Sequence, residues 1–173
     1  MKKVWKKYHS EIIPIVIMVI VGSSMHFVRD LVNNDEVMKI LGIVFPVNET
    51  SWEHMKMIWY PFLVTGIILS ITKKNPGYFG GFVLSGIIDM LAIVGVFAIY
   101  QSFTVTSILI LDIFLFITFM IFFSLLAYLF ARQKWCQKAL PVWIIAAVIV
   151  TGGIIYLPYH PGPGYVFLDN EGF

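Results

Sequence analysis

Residues 104–131 read TVTSILILDIFLFITFMIFFSLLAYLFA, and Asp112 is the only acid or base of full charge in the stretch. A helix crossing about 30 Å of hydrocarbon needs about 20 consecutive apolar residues, so this segment predicts a transmembrane helix. Four more segments of the same kind appear on either side of it, at about 12–28, 52–72, 78–100 and 140–157. The second of these carries Pro61. The alternation of polar and apolar residues that marks a barrel strand is not the pattern here. The composition agrees with this reading: 59% of the chain is hydrophobic and 13% charged, against roughly 45–50% and 25% in soluble domains. Mean hydropathy is +0.86. Such a chain is too apolar for disorder. With one cysteine, Cys136, it is no disulfide scaffold. A net charge of +2 argues against a nucleic-acid partner. The expectation is an all-α membrane protein, a single domain over residues 1–173 with five transmembrane helices.

The basic residues give this arrangement a direction. Lys2, Lys3, Lys6 and Lys7 precede the first span, Lys73 and Lys74 lie between the second and third, and Arg132, Lys134 and Lys138 lie between the fourth and fifth. Of the 12 Lys and Arg, only Arg29, Lys39 and Lys56 fall on the other side. The positive-inside rule then puts the N-terminus in the cytoplasm and the C-terminus outside, in a multi-pass protein of the cell membrane. The first span has the basic start of a signal peptide and the small cluster Gly22-Ser23-Ser24, but four further spans favour a retained anchor. Cys136 falls in an inner loop and reads as a reduced packing residue.

Two longer segments lie outside. Residues 30–47 predict an interfacial segment with a short amphipathic helix near 35–41. Residues 158–173 hold Pro158, Pro161, Gly162, Pro163 and Gly164 and predict a turn-rich tail. The short remaining loops predict an up-and-down bundle with sequential helices as neighbours. Around the third span Gly77, Gly80, Gly81, Ser85, Gly86 and Gly95 form a small-residue stripe. Spacing of four lets backbones approach closely in lipid; the stripe predicts tight packing of a central helix, with a homodimer face as the alternative.

Ionisable groups within spans usually face a bundle interior or a cavity. Asp89 and Asp112 lie about equally far from the turn near Gln101, and His26 lies near the outer end of the first span. These three are expected to line one cavity open to the outside. The densest polar signal is Phe45–Lys56, FPVNETSWEHMK. Asn48 is the expected N-cap of the second span, and Glu49 the first-turn acid favoured by the helix dipole. Glu49, Trp52, Glu53 and Lys56 then share one helix face, with His54 about 100° away.

The run PVNETSWEHMK, with SSMHF upstream, resembles a family of small bacterial integral membrane proteins of unknown function. The likeness covers most of the chain. It implies the architecture and singles out His26, Asn48, Glu49, Trp52, Glu53, His54 and Lys56, but implies no reaction. From the residue types, imidazole and carboxylates suit a divalent metal, with His26, Glu49 and Glu53 as the expected ligands and His26 in contact with Glu49 or Glu53 directly, through water or through a metal. The spacing matches no recognised zinc motif. The leading expectation is an outward-facing polar site of His26, Asn48, Glu49, Trp52, Glu53, His54, Lys56, Asp89 and Asp112 that binds a small ligand, a lipid head group or a metal. The alternatives are a metal-assisted or acid–base hydrolase or transferase acting on a lipid, and a small transporter or proton-coupled subunit relaying through the two aspartates.

Overall fold

The structure is a computed structural model and describes residues 2–32, 34–48, 50–104 and 108–160. Over these residues the chain is helical: α1 (Lys2–Met25), α2 (Val28–Leu31), α3 (Asp35–Leu41), α4 (Ser51–Thr72), α5 (Gly77–Thr104), α6 (Leu109–Ala131), α7 (Lys134–Lys138) and α8 (Leu140–Tyr156), closed by a 3-10 turn, Leu157–Tyr159. Three helices, α4, α5 and α6, are long and apolar enough to cross a membrane. Two shorter apolar stretches accompany them, Ser10–Met25 within α1 and Leu140–Tyr156.

Several boundaries differ from the sequence expectation for local reasons. The first span closes at Met25 because Phe27 N–H turns back onto Ser24 C=O at 3.2 Å. The third runs on to Thr104, and the fourth begins at Leu109. The short surface helix falls at Asp35–Leu41 because Asn34 caps it, its side chain accepting from Glu36 N–H at 3.0 Å and Val37 N–H at 3.2 Å. Of the predicted outer tail, residues 161–173 lie outside the described residues.

Helices α1, α4, α5 and α6 form a closed four-helix ring, in which α1 touches α4 and α6 while α5 touches the same two from the other side. Sequential neighbours within the ring follow the expected up-and-down order. The last helix does not: α8 packs on α5 and α4. The short α7 carries the chain past α6 to reach them, and Trp59 Nε1 on α4 donates to Thr151 Oγ1 on α8 at 2.9 Å.

The glycine stripe explains why α5 is central. A methyl group on Gly81 would meet the carbonyl of Ala127 at 2.5 Å, and one on Gly77 the carbonyl of Ala131 at 2.3 Å, so both glycines bring α5 against α6. Gly80 leaves room for the Trp143 indole of α8, and Gly86 for the Phe62 ring of α4. From Gly77 to Gly86 the stripe is therefore occupied by α4, α6 and α8, while Gly95 has no such neighbour, and a dimer through Gly77 and Gly81 would have to displace α6. The core holds Trp59, Phe62, Phe82, Met120 and Tyr128. Outward-facing positions are also apolar: Ile17 and Ile20 on α1, Ile68 and Ile71 on α4, Phe114 and Phe122 on α6, and Val148 and Ile149 on α8 are exposed. Helices apolar on all sides belong in a large core or a membrane.

The ring has two chemically distinct ends. One carries exposed Lys73, Lys74, Lys134 and Lys138, with Arg132 paired to Glu11 at 2.7 Å across α6 and α1. The other carries α2, α3, the 42–50 loop and the start of α4, and the candidate site lies there.

Candidate functional site

The PVNETSWEHMK segment folds as a loop that locks onto the helix it precedes. The N-cap of α4 is Thr50, two residues later than expected: its Oγ1 accepts from Glu53 N–H at 3.3 Å. Asn48 braces the cap instead of forming it, with Oδ1 accepting from Thr50 N–H at 3.1 Å and from the Thr50 hydroxyl at 2.7 Å. Glu49 lies outside the described residues.

Glu53 and Lys56 share a face as expected, one turn apart, but that face is closed. Lys56 Nζ donates to Glu53 Oε2 at 2.7 Å, to Oε1 at 2.9 Å and to the Gly42 carbonyl at 2.5 Å. Glu53 Oε2 also accepts from Val47 N–H at 2.9 Å. Glu53 is 1% exposed and Lys56 0%. The pair is a clasp holding the 42–47 loop against α4, and Tyr60 adds a third tie by donating its hydroxyl to Ile43 C=O at 2.6 Å. A buried ion pair stays favourable only when every donor and lone pair is met, and the loop carbonyl and amide complete this one. Trp52 packs against the hydrophobic core beside it.

His54 leaves the helix on another side and enters a cavity. Its Nδ1 lies 2.9 Å from Thr50 C=O. A carbonyl can only accept, so Nδ1 carries the hydrogen and donates to it. The His26 ring, in the turn that follows α1, stands 5.3 Å from that of His54, centroid to centroid, tilted by 32°. Gly22, one turn before His26, makes this approach possible: a methyl there would meet Met57 C=O of α4 at 2.7 Å. Of the two expected carboxylate partners of His26, Glu49 lies outside the described residues, and Glu53 makes no direct contact with it. Among the described residues no hydrogen bond or ion pair joins them, because Glu53 is engaged by the clasp and His26 by His54 and Phe27. Among the described residues there is also no group of three His, Cys, Asp or Glu placed to hold a metal ion.

The cavity has a volume of about 460 Å³ and takes walls from all four ring helices. Ile58, Ile93, Phe97, Ile113 and Phe116 make it largely apolar, and Ser23, His26, Ser51, His54, Gln101 and Asp112 supply its polar groups. Asp112 accepts a hydrogen bond at Oδ1 from the Tyr100 hydroxyl, across the α5–α6 hairpin, and lies within the electrostatic reach of His54. Ser51 is 4% exposed, and its hydroxyl finds no partner among the described residues.

Asp89 is not in this wall. It lies one turn deeper than Ile93 on α5, is 0% exposed, and neither carboxyl oxygen has a hydrogen-bond partner among the described residues. Ser85, one turn further, is equally buried with an unmatched hydroxyl. The two aspartates expected to share a site are thus separated: Asp112 joins His26 at the cavity and Asp89 sits in the core. Ser51, Tyr100 and Gln101 were not singled out from the sequence. Ser51 had a readable signal, since it lies three residues before His54 and so on the same helix face.

The family match adds no chemistry. The chain belongs to a family of unknown function, DUF6512. The match covers residues 1–170, so the ring, the clasp and the cavity all lie within it. No curated protein and no solved structure matches the chain.

Proposed function

We propose that this is a five-span membrane protein, with its N-terminus in the cytoplasm and its C-terminus outside, whose outward-facing cavity binds a small and largely apolar ligand or a lipid head group. The observation carrying the reading is the cavity of about 460 Å³, with apolar walls and a few polar groups converging from four helices. Ligand sites usually measure about 300–1,000 Å³ and have this make-up. Ser51 strengthens it, since a buried hydroxyl without a partner calls for a ligand or water. The orientation rests on the basic residues gathered at the Lys73 end, and the span count on the exposed apolar faces of α1 and α8 as well as α4 and α6. His26, Ser51, His54 and Asp112 are the contact groups in this reading, while Asn48, Glu53 and Lys56 shape the entrance.

Val94→Phe places a ring in the cavity from α5 and tests the reading. Native mass spectrometry of gently extracted protein is expected to show a bound small molecule on the unaltered chain, and none on Val94→Phe. An unaltered chain that carries nothing, and whose unfolding temperature ignores a panel of small amphiphiles, sinks it. A second reading, acid–base hydrolysis of a lipid, draws on the fixed Nδ1–H tautomer of His54 beside Asp112. Turnover of a lipid ester in vesicles that His54→Ala abolishes would favour it.

A further inference from the structure

The cavity's polar groups also bear on the charge of what enters it. Asp112 contributes the one carboxylate among its described lining residues, and no lysine or arginine joins the wall. One carboxyl oxygen is taken by the Tyr100 hydroxyl. The other, Oδ2, has no hydrogen bond to a described residue and remains an acceptor. A carboxylate in an apolar space is costly without a counter-charge. A ligand that presents a positive group to such a site gains most, and one that presents a carboxylate or phosphate there loses.

Two further features suit a cation. Phe27, Phe97 and Phe116 line the same space, and aromatic faces attract ammonium groups. The Ser51 hydroxyl is buried and unmatched in the wall, so it can accept from an ammonium N–H. The positive end of α4 would ordinarily draw an anion. Here it is already met: Thr50 Oγ1 takes the Glu53 amide, and the Glu53 carboxylate lies in the same first turn. The imidazoles are the groups that could favour the opposite charge. His54 lies in the field of Asp112, with its Nδ1–H held by Thr50 C=O, and His26 stands beside it.

We infer that the cavity selects an organic ammonium group on an apolar body, seated between Asp112, Ser51 and the phenyl rings. This rests on the binding function proposed above and names its ligand class. The same chemistry is found in a free hydrophobic amine and in an amine-bearing lipid head group.

The test uses the purified full chain in detergent and three probes with one shared body: phenylpropylamine, phenylpropanol and phenylpropanoate. Binding is read by calorimetric titration. The amine is expected to bind about tenfold or more tightly than the alcohol, and the carboxylate most weakly. Asp112→Asn keeps an acceptor for Tyr100 while removing the charge. It is expected to weaken the amine roughly thirtyfold, as loss of a buried charge partner does, and to weaken the alcohol far less. Equal binding of the three probes, preference for the carboxylate, or an Asp112→Asn variant that still prefers the amine overturns the ammonium assignment but leaves a binding cavity. Failure of all three probes to bind overturns both. Vesicles of phosphatidylglycerol, with and without phosphatidylethanolamine, separate the sources. Competition from the ethanolamine lipid against the amine identifies a head-group ligand, and its absence a free amine.

Discussion

Lys56 has three N–H donors, and all three are spent inside the fold on Glu53 and Gly42. Removing one member of such a pair leaves the other charge buried alone, which costs about 3–5 kcal/mol, whereas replacing both with groups of similar volume is often neutral. Lys56→Met should therefore destabilise strongly, and Glu53→Gln combined with Lys56→Met should recover most of the loss. Thermal and denaturant unfolding in detergent measure both; a double variant no better than Lys56→Met would mean that the clasp is not an ion pair. The sequence made part of this legible. Residues three apart on a helix meet, so Glu53 beside Lys56 could be read directly. Their remaining partners, Gly42 C=O and Val47 N–H, belong to a loop without periodicity, and nothing in the residue order says which backbone groups it turns inward. The meeting of His26 with His54 was hidden for a related reason. It depends on how α1 is rotated against α4, and helices with apolar residues on every side carry no stripe that fixes rotation.

At the scale of elements, glycine sets how closely the helices pack. On α5 a methyl at Gly81 would press on backbone atoms of α6, at 2.5 Å from Ala127 C=O and 2.9 Å from Ala131 N. Backbone cannot swing aside as a side chain can. Gly81→Ala should then force α5 and α6 apart and cost about 1–3 kcal/mol, as overpacking does. Gly95 lies on the same helix with nothing within 4 Å. Gly95→Ala should stabilise by roughly 0.5–1 kcal/mol, because alanine restricts the unfolded chain and suits a helix. Unfolding titrations of the two variants should shift in opposite directions; a shared direction would show that the α5–α6 contact does not govern Gly81. Spacing of four announced that α5 would be approached closely but named no partner. Gly77 and Gly81 turn out to face α6, while Gly80 faces α8, which α7 sends onto α5 and α4 in a way hydropathy cannot foretell. The α4 cap slid from Asn48 to Thr50 for a subtler reason. Both residues are good caps, and an asparagine that bonds to a threonine two residues on yields the capping position to it.

For the molecule as a whole, the apolar outer surface and the two polar ends pose one physical question: which helices cross the bilayer. Helices α4, α5 and α6 have the length for it. The 17 residues of α8 rise about 26 Å, slightly short of the hydrocarbon core, with the turn Leu157–Tyr159 extending it. Bilayers thin, and flanking residues reach outward, to meet a short helix at modest cost, so the count beyond α4, α5 and α6 turns on α8 and on the equally short apolar stretch Ser10–Met25 of α1. Single cysteines at Lys73, Lys138, Glu36 and His160, all exposed, bracket α4 and α8 from both ends. The native thiol adds little background, since Cys136 is fully buried and burial pushes its pKa up to about 11; at neutral pH almost none of it is the reactive thiolate. With an impermeant maleimide on intact cells, Glu36→Cys and His160→Cys should be labelled. Lys73→Cys and Lys138→Cys should react only once the membrane is opened, if the basic end is the inner one as proposed. Labelling of Lys138→Cys and His160→Cys from one side would take α8 out of the membrane and end the five-span reading. Labelling of Lys73→Cys together with Glu36→Cys from one side would deny that α4 crosses, and the outward-facing cavity would lose its frame.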